Sequence, residues 1–125
     1  MNPGTGLAFV AIALVLGIVS EAIAWRLGLW LYNKPAVRYF NIVVTFGLIY
    51  GGLSAVLVGE GLAPQFLAGA ALGLLNEELN DRYIRAWYFP GVSVPWLKGK
   101  TAVVVIGLLW GLVPPIVIGL HRLLF

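Results

Sequence analysis

The sequence predicts an all-α integral membrane protein, with four transmembrane helices in one compact bundle and both termini on the non-cytoplasmic side. Three observations carry that reading. Of the 125 residues, 61% are hydrophobic and 10% charged, against about half and about a quarter in ordinary soluble domains. The apolar residues fall in runs long enough to cross a bilayer. The basic residues gather at one set of turns. A soluble domain of this length keeps too much of its surface in water to hide so much apolar area, and the same composition excludes disorder.

Each element has its own signal. Helices rise 1.5 Å per residue, so roughly 20 residues cross the hydrocarbon core. A first span is expected over about 7–31. The tail before it, Met1 to Gly6, has no Lys or Arg. It lacks the basic region of a secretory signal and the apolar run is too long for one, so the segment reads as a retained helix. Asn33-Lys34-Pro35 breaks the chain before a second span over 37–59. Gly59-Glu60-Gly61 turns tightly into a third, over 64–84. A longer connection, 86–100, leads to a fourth over 101–120, which Pro114-Pro115 should kink. All four belong to a single domain, 1–125.

The charges orient these spans. Arg26, Lys34 and Arg38 flank the first connection, and Arg82, Arg85, Lys98 and Lys100 flank the third. Seven of the eight basic residues therefore share one side, leaving only Arg122. By the positive-inside rule that side is the cytoplasmic face of an inner or plasma membrane. Trp25, Trp30, Tyr32, Tyr39, Trp87, Tyr88 and Trp96 fall at the same level. They read as an interfacial belt, with Trp87-Tyr88-Phe89-Pro90 lying along the headgroups.

Small residues recur at every fourth position. The second span has Gly47, Gly51, Ala55 and Gly59; the third has Gly69 and Gly73; the fourth has Gly107, Gly111 and Gly119. Lipid gives helices no hydrophobic drive to associate, so close backbone approach must supply it. Most of these stripes are expected inside the bundle. Any left over would face a second copy or another subunit.

The third span carries the chemistry. Its apolar run, Gly61 to Leu75, covers only about 22 Å of a core about 30 Å thick. Asn76-Glu77-Glu78-Leu79-Asn80-Asp81-Arg82 must therefore enter the membrane in part. Glu21 falls at a similar depth to Glu77, with Arg26 and Arg82 about one turn further in. Asn41, Thr45 and Thr101 belong to the same half, whereas the other half offers only Gln65 and Ser54. A pocket open to the cytoplasm is expected. Sliding the chain by 56 residues aligns Glu21 with Glu77, Arg26 with Arg82, Tyr32 with Tyr88 and Gly51 with Gly107. Parallel repeats of that kind occur in some transporters.

The candidate cluster is thus Glu21, Arg26, Asn76, Glu77, Asn80, Asp81 and Arg82. One reading is structural: cross-helix ion pairs, such as Glu21 with Arg82, that neutralise one another at depth. Glu78–Arg82, at the favourable four-residue spacing, reads as a solvated helix end. A second reading is a proton or cation site, because an intramembrane carboxylate can exchange protons near neutrality. A third is enzymatic, with Glu77 and Asp81, four apart on one helical face, acting as acid and base or holding Mg²⁺. No phosphate or metal motif backs that third reading, and no catalytic residue or metal ligand is assigned. His121 reads as an interface residue at a helix end, with a pigment or haem ligand as the alternative. The chain has no cysteine and one histidine. That removes disulfides, thiolate catalysis, iron–sulfur clusters and two-His metal motifs. No basic cluster points to nucleic acid, and no cofactor is legible.

In length, in span number and in the mid-membrane glutamate of Ile18-Val19-Ser20-Glu21-Ala22-Ile23, the chain resembles the small multidrug-resistance transporters. Its third span departs from that family's aromatic and glycine pattern and carries Asn76 to Arg82 instead. Only Glu21 would correspond, so membership and proton-coupled export are not carried over. Three functions remain, in this order. The first is an accessory or structural subunit packed against other subunits of a larger membrane complex. The second is a small proton- or cation-coupled transporter using Glu21 and Glu77. The third, an enzyme acting on lipid or isoprenoid at the cytoplasmic interface, is the least favoured.

Overall fold

A computed structural model describes residues 3–125; Met1 and Asn2 of the N-terminal tail lie outside the described residues. The chain is mostly helical and forms a four-helix bundle, and among the described residues three helices are long and apolar enough to cross a membrane. The first, α1, is Pro3–Leu27. It stops four residues short of the span expected over 7–31, and the cause is local. Gly28 takes φ of +64°, its N–H donates to the Trp25 carbonyl, and the Leu29 N–H reaches back to Ala24 at 2.9 Å. This pair of bonds closes the last turn around a left-handed residue that glycine adopts without strain.

The freed chain forms a two-residue strand, β1 (Leu31–Tyr32). The second helix, α2, is Ala36–Leu57. Its stretch Asn41–Tyr50 is wound as a wide π-helix. Because π bonds run from i to i+5, Asn41, Thr45, Phe46 and Tyr50 all turn inward and are buried.

The third helix, α3, runs over 62–84, as α-helix to Leu79 and as a π-turn over Asn80–Ile84. It is the one helix not apolar enough to qualify as a span on composition, since Gln65 and Asn76-Glu77-Glu78 interrupt it. It ends where Arg85 adopts φ of +52° and its N–H returns to the Asn80 carbonyl at 2.6 Å. A second short strand follows, β2 (Trp87–Tyr88). It pairs antiparallel with β1, Leu31 opposite Tyr88 and Tyr32 opposite Trp87. The expected all-helical fold therefore carries a small β-ladder at one end, called the strand end below. The last helix, α4, is Gly99–Leu124. Just before Pro114-Pro115 it tightens into a 3₁₀ turn at Trp110–Leu112, which accommodates the missing proline N–H groups.

The glycine stripes pack within the chain. A Cβ on Gly51 would lie 2.8 Å from the Val10 Cα on α1, and one on Gly47 would lie 3.1 Å from Leu14. One on Gly69 would lie 2.9 Å from Pro114, one on Gly73 2.5 Å from the Gly107 carbonyl, one on Gly107 3.0 Å from the Leu74 Cα, and one on Gly111 2.8 Å from the Phe66 carbonyl. So α1 closes on α2, and α3 closes on α4. Between these hairpins sits a core of Phe9, Ala13, Phe46, Tyr50, Trp110, Val113, Val117 and Ile118. The Tyr50 hydroxyl donates to the Gly69 carbonyl at 2.8 Å, tying α2 to α3.

Candidate functional site

Both intramembrane-type glutamates face inward: Glu21 is 4% exposed and Glu77 3%. They line one cavity of about 150 Å³, together with Trp30, Tyr32, Phe46, Trp87, Trp110 and other residues of α1, α2 and α4. A space of about that size holds a benzene ring.

Neither carboxylate belongs to the expected ion-pair network. Arg26 is exposed, because a step of five residues carries it about 140° round the helix from Glu21. Arg82 bonds Glu78 at 2.8 Å, and Lys100 reaches Glu78 at 2.6 Å and Asp81 at 3.4 Å. Those ion pairs lie on the outer surface at the strand end. Among the described residues, Glu21 and Glu77 have no ion-pair partner.

Neutral donors take that place. Trp87 Nε1–H donates to Glu77 Oε2 at 2.9 Å and Trp110 Nε1–H donates to Oε1 at 3.0 Å. Trp30 Nε1–H donates to Glu21 Oε2 at 3.0 Å, and the Tyr32 hydroxyl donates to Oε1 at 2.6 Å. That hydroxyl accepts from Asn41 Nδ2 at 3.0 Å, and Asn41 Oδ1 accepts from the Thr45 hydroxyl at 3.1 Å. The π-wound stretch of α2 places Asn41 and Thr45 in this row. Arg38 sits over the Tyr32 ring, 5.5 Å from its centroid, with its Nε buried and unpaired.

Asn80 positions Trp87. Its Nδ2 donates to the Trp87 carbonyl at 2.8 Å, and its Oδ1 accepts from the Ala86 and Trp87 N–H groups at 2.8 and 3.2 Å. Asn80 is 2% exposed, so it is the clamp that holds β2 against α3 and aims the indole at Glu77. Asn76 lies on the same helix with its side-chain nitrogen buried and unpaired.

Several expectations change. Trp30, Tyr32 and Trp87 were expected in an interfacial belt; their polar atoms instead turn inward to the carboxylates, because the β-ladder folds the connections under the bundle. Trp110, outside the candidate cluster, completes the set. Its signal was its position, mid-helix between Gly107 and Gly111 and far from either end, where a buried indole N–H needs an acceptor. The Glu77–Asp81 dyad does not form, since Glu77 points into the core and Asp81 is exposed and paired with Lys100. Trp30, Tyr32 and Trp87 line the cavity toward the strand end, and a separate, more polar pocket of about 450 Å³, also bordered by Trp87, is lined by Asn33, Asn80, Asp81 and Arg85 among others. α1 packs on the second half of α4 and hardly touches the first half, and the half-exposed Leu109 borders the wedge between them.

His121 is half-buried in the last turn of α4, where its ring stacks on Phe9 with centroids 4.1 Å apart and on the exposed Phe125 at 5.1 Å. Among the described residues, no group of three His, Asp or Glu side chains could hold a metal ion. Comparison with known protein families, with curated proteins and with solved structures finds no match.

Proposed function

We propose that the chain is inserted as four spans with its strand end in the cytoplasm, and that it is a small proton- or cation-coupled transporter whose site is Glu21 and Glu77. One observation carries the reading: two buried carboxylates share a cavity, each held by neutral N–H or O–H donors, and neither has a cationic side chain paired with it. A structural ion-pair network would spend its charges on one another. Here the two carboxyl groups are left facing a space walled by Phe46 and three tryptophans, surroundings that suit a cation when a carboxylate is ionised. The insertion is supported by the three long apolar helices, and the orientation by the seven basic residues around the strand end.

The test is reconstitution of the pure protein in liposomes with an imposed pH gradient. Cation-dependent proton flux is expected, and Glu21→Gln and Glu77→Gln should each reduce it to the level of protein-free vesicles. Flux that survives both substitutions, or none from folded protein, overturns the reading. An accessory-subunit role is the second reading. The internal use of Gly47, Gly51, Gly69, Gly73, Gly107 and Gly111 weakens it, while the open space over Gly52, Gly59 and Gly119 favours it. A stoichiometric set of co-purifying polypeptides in mild detergent would bring it forward.

A further inference from the structure

The two carboxylates are alike in burial and unlike in their partners. Both Glu77 oxygens accept from indole N–H groups. An indole donates and cannot accept. A proton on Glu77 would have to displace one of those bonds or find an acceptor that neither tryptophan can supply. Glu21 also accepts from one indole, but its other oxygen meets the Tyr32 hydroxyl. A hydroxyl rotates and can accept as readily as it donates. Behind it stand the Asn41 amide, which offers a donor and an acceptor, and the Thr45 hydroxyl. Each link of this row can reverse direction. If Glu21 takes up a proton it can donate to Tyr32, and the row can turn over to match.

We propose that the glutamates divide the work, with Glu21 the member that gains and loses the proton while the Tyr32–Asn41–Thr45 row reorients to match, and Glu77 the standing negative charge of the cavity. This division rests on the reading of the cavity as a proton or cation site. The other charged and titratable groups around Glu21 are Arg38 of α2, set behind the Tyr32 ring, and Glu77 of α3 across the cavity. α4 faces Glu21 with Ile106, Leu109, Trp110 and Val113, none of which titrates. Around Glu77 stand Glu21, Asp81 one turn along its own helix, and Tyr50 of α2, whose hydroxyl is committed to the Gly69 carbonyl. A standing charge at Glu77 in turn disfavours a second charge at Glu21, so a cation entering the cavity would offset that repulsion and favour release of the Glu21 proton to water, with the row turning back as Tyr32 resumes donating to the carboxylate.

Infrared difference spectroscopy of the full chain in nanodiscs, titrated with acid, reads the two sites separately through the carboxylic C=O stretch. One protonating carboxyl is expected in the buried-acid region of the spectrum. It should vanish in Glu21→Gln and persist in Glu77→Gln. Tyr32→Phe, which removes the reversible partner and keeps the ring, should move its midpoint by about one pH unit, a tenfold change in proton concentration. Trp110→Phe should free Glu77 Oε1 and add a second band. A band that is lost in Glu77→Gln and kept in Glu21→Gln overturns the division, as does equal loss in both or a wild-type spectrum already showing two acids. The flux assay is independent. Absence of flux with the expected spectra would remove the transport reading and leave the protonation assignment, while flux with the reversed spectra would do the opposite. Tyr32→Phe and Trp110→Phe keep the question decidable should either amide variant fail to fold.

Discussion

The different donors at Glu21 and Glu77 also set how each site tolerates an isosteric amide. In Glu77→Gln the new NH₂ faces an indole N–H, donor against donor, and one buried N–H loses its partner. That should cost about 1–3 kcal/mol. In Glu21→Gln the Trp30 indole keeps an oxygen and the NH₂ can donate to the Tyr32 hydroxyl, so the cost should stay below about 1 kcal/mol. Thermal unfolding in one detergent should therefore place Glu77→Gln below Glu21→Gln. The reverse order would mean that the hydrogen-bond partners have been assigned to the wrong glutamate. At this scale the acidic and amide members of the site were legible in the sequence, because a polar group at membrane depth must have a reason to be there. Their aromatic partners were not. An aromatic residue just beyond a helix end looks the same in sequence whether it points out to headgroups or folds back under the bundle, and Trp30, Tyr32 and Trp87 fold back. The arginines misled for a simpler reason: a carboxylate and an arginine at similar depth on different helices suggest a cross-helix pair, but Arg82 is taken by Glu78 on its own helix and Arg26 faces outward.

Elements are held by close approach and by turn chemistry, and each can be tested. An alanine at Gly73 or Gly107 places a Cβ against the partner helix of the α3–α4 pair, and overpacking of that kind should cost about 1–3 kcal/mol or more. Gly119→Ala meets nothing within 4 Å and should stay within about 0.5 kcal/mol of the parent. Equal loss from all three would mean that the helices pair through other faces. Gly28→Ala forces a side chain into a left-handed conformation and should destabilise by about 1–2 kcal/mol. Asn80→Ala strips partners from the Ala86 and Trp87 N–H groups and from the Trp87 carbonyl. Hydrogen exchange at those two amides should rise to the rate of an exposed loop, and β2 should come away from α3. Unchanged protection there would show that the ladder with β1 holds the strand unaided. The four helices and their packing glycines could be read from the sequence because long apolar runs and small residues four apart are strong signals. The β-ladder could not. Two-residue strands carry no periodicity, and what creates this one is a pair of left-handed caps at Gly28 and Arg85 that release the chain early enough for Leu31-Tyr32 and Trp87-Tyr88 to meet.

Taken whole, the chain is helix–strand–helix twice over. The 56-residue offset that superimposes Glu21 on Glu77 also carries Leu31-Tyr32 onto Trp87-Tyr88, the residues of β1 and β2. The two hairpins meet through that ladder at one end and through the Phe46–Tyr50–Trp110 core in the middle. Both strand turns therefore lie at one end, and the Gly59-Glu60-Gly61 turn lies at the other. Charge follows the same division, with seven of the eight basic residues near the strands. If all four helices cross, the composition that disqualifies α3 as a lone span is no obstacle, since its Glu77 and Asn80 face the bundle and its Glu78, Asp81 and Arg82 lie at the strand end, where headgroups and water can reach them. The chain has no cysteine, so single-cysteine variants can map this without background. Glu60→Cys should react with a membrane-impermeant maleimide on intact cells, and Lys98→Cys should react only after the membrane is opened. The opposite pattern would invert the molecule and leave the bundle intact. Reaction of both from outside would place the two turns on one face, and that would remove the crossing of α3 and with it the burial of Glu77 at membrane depth on which the transport reading depends.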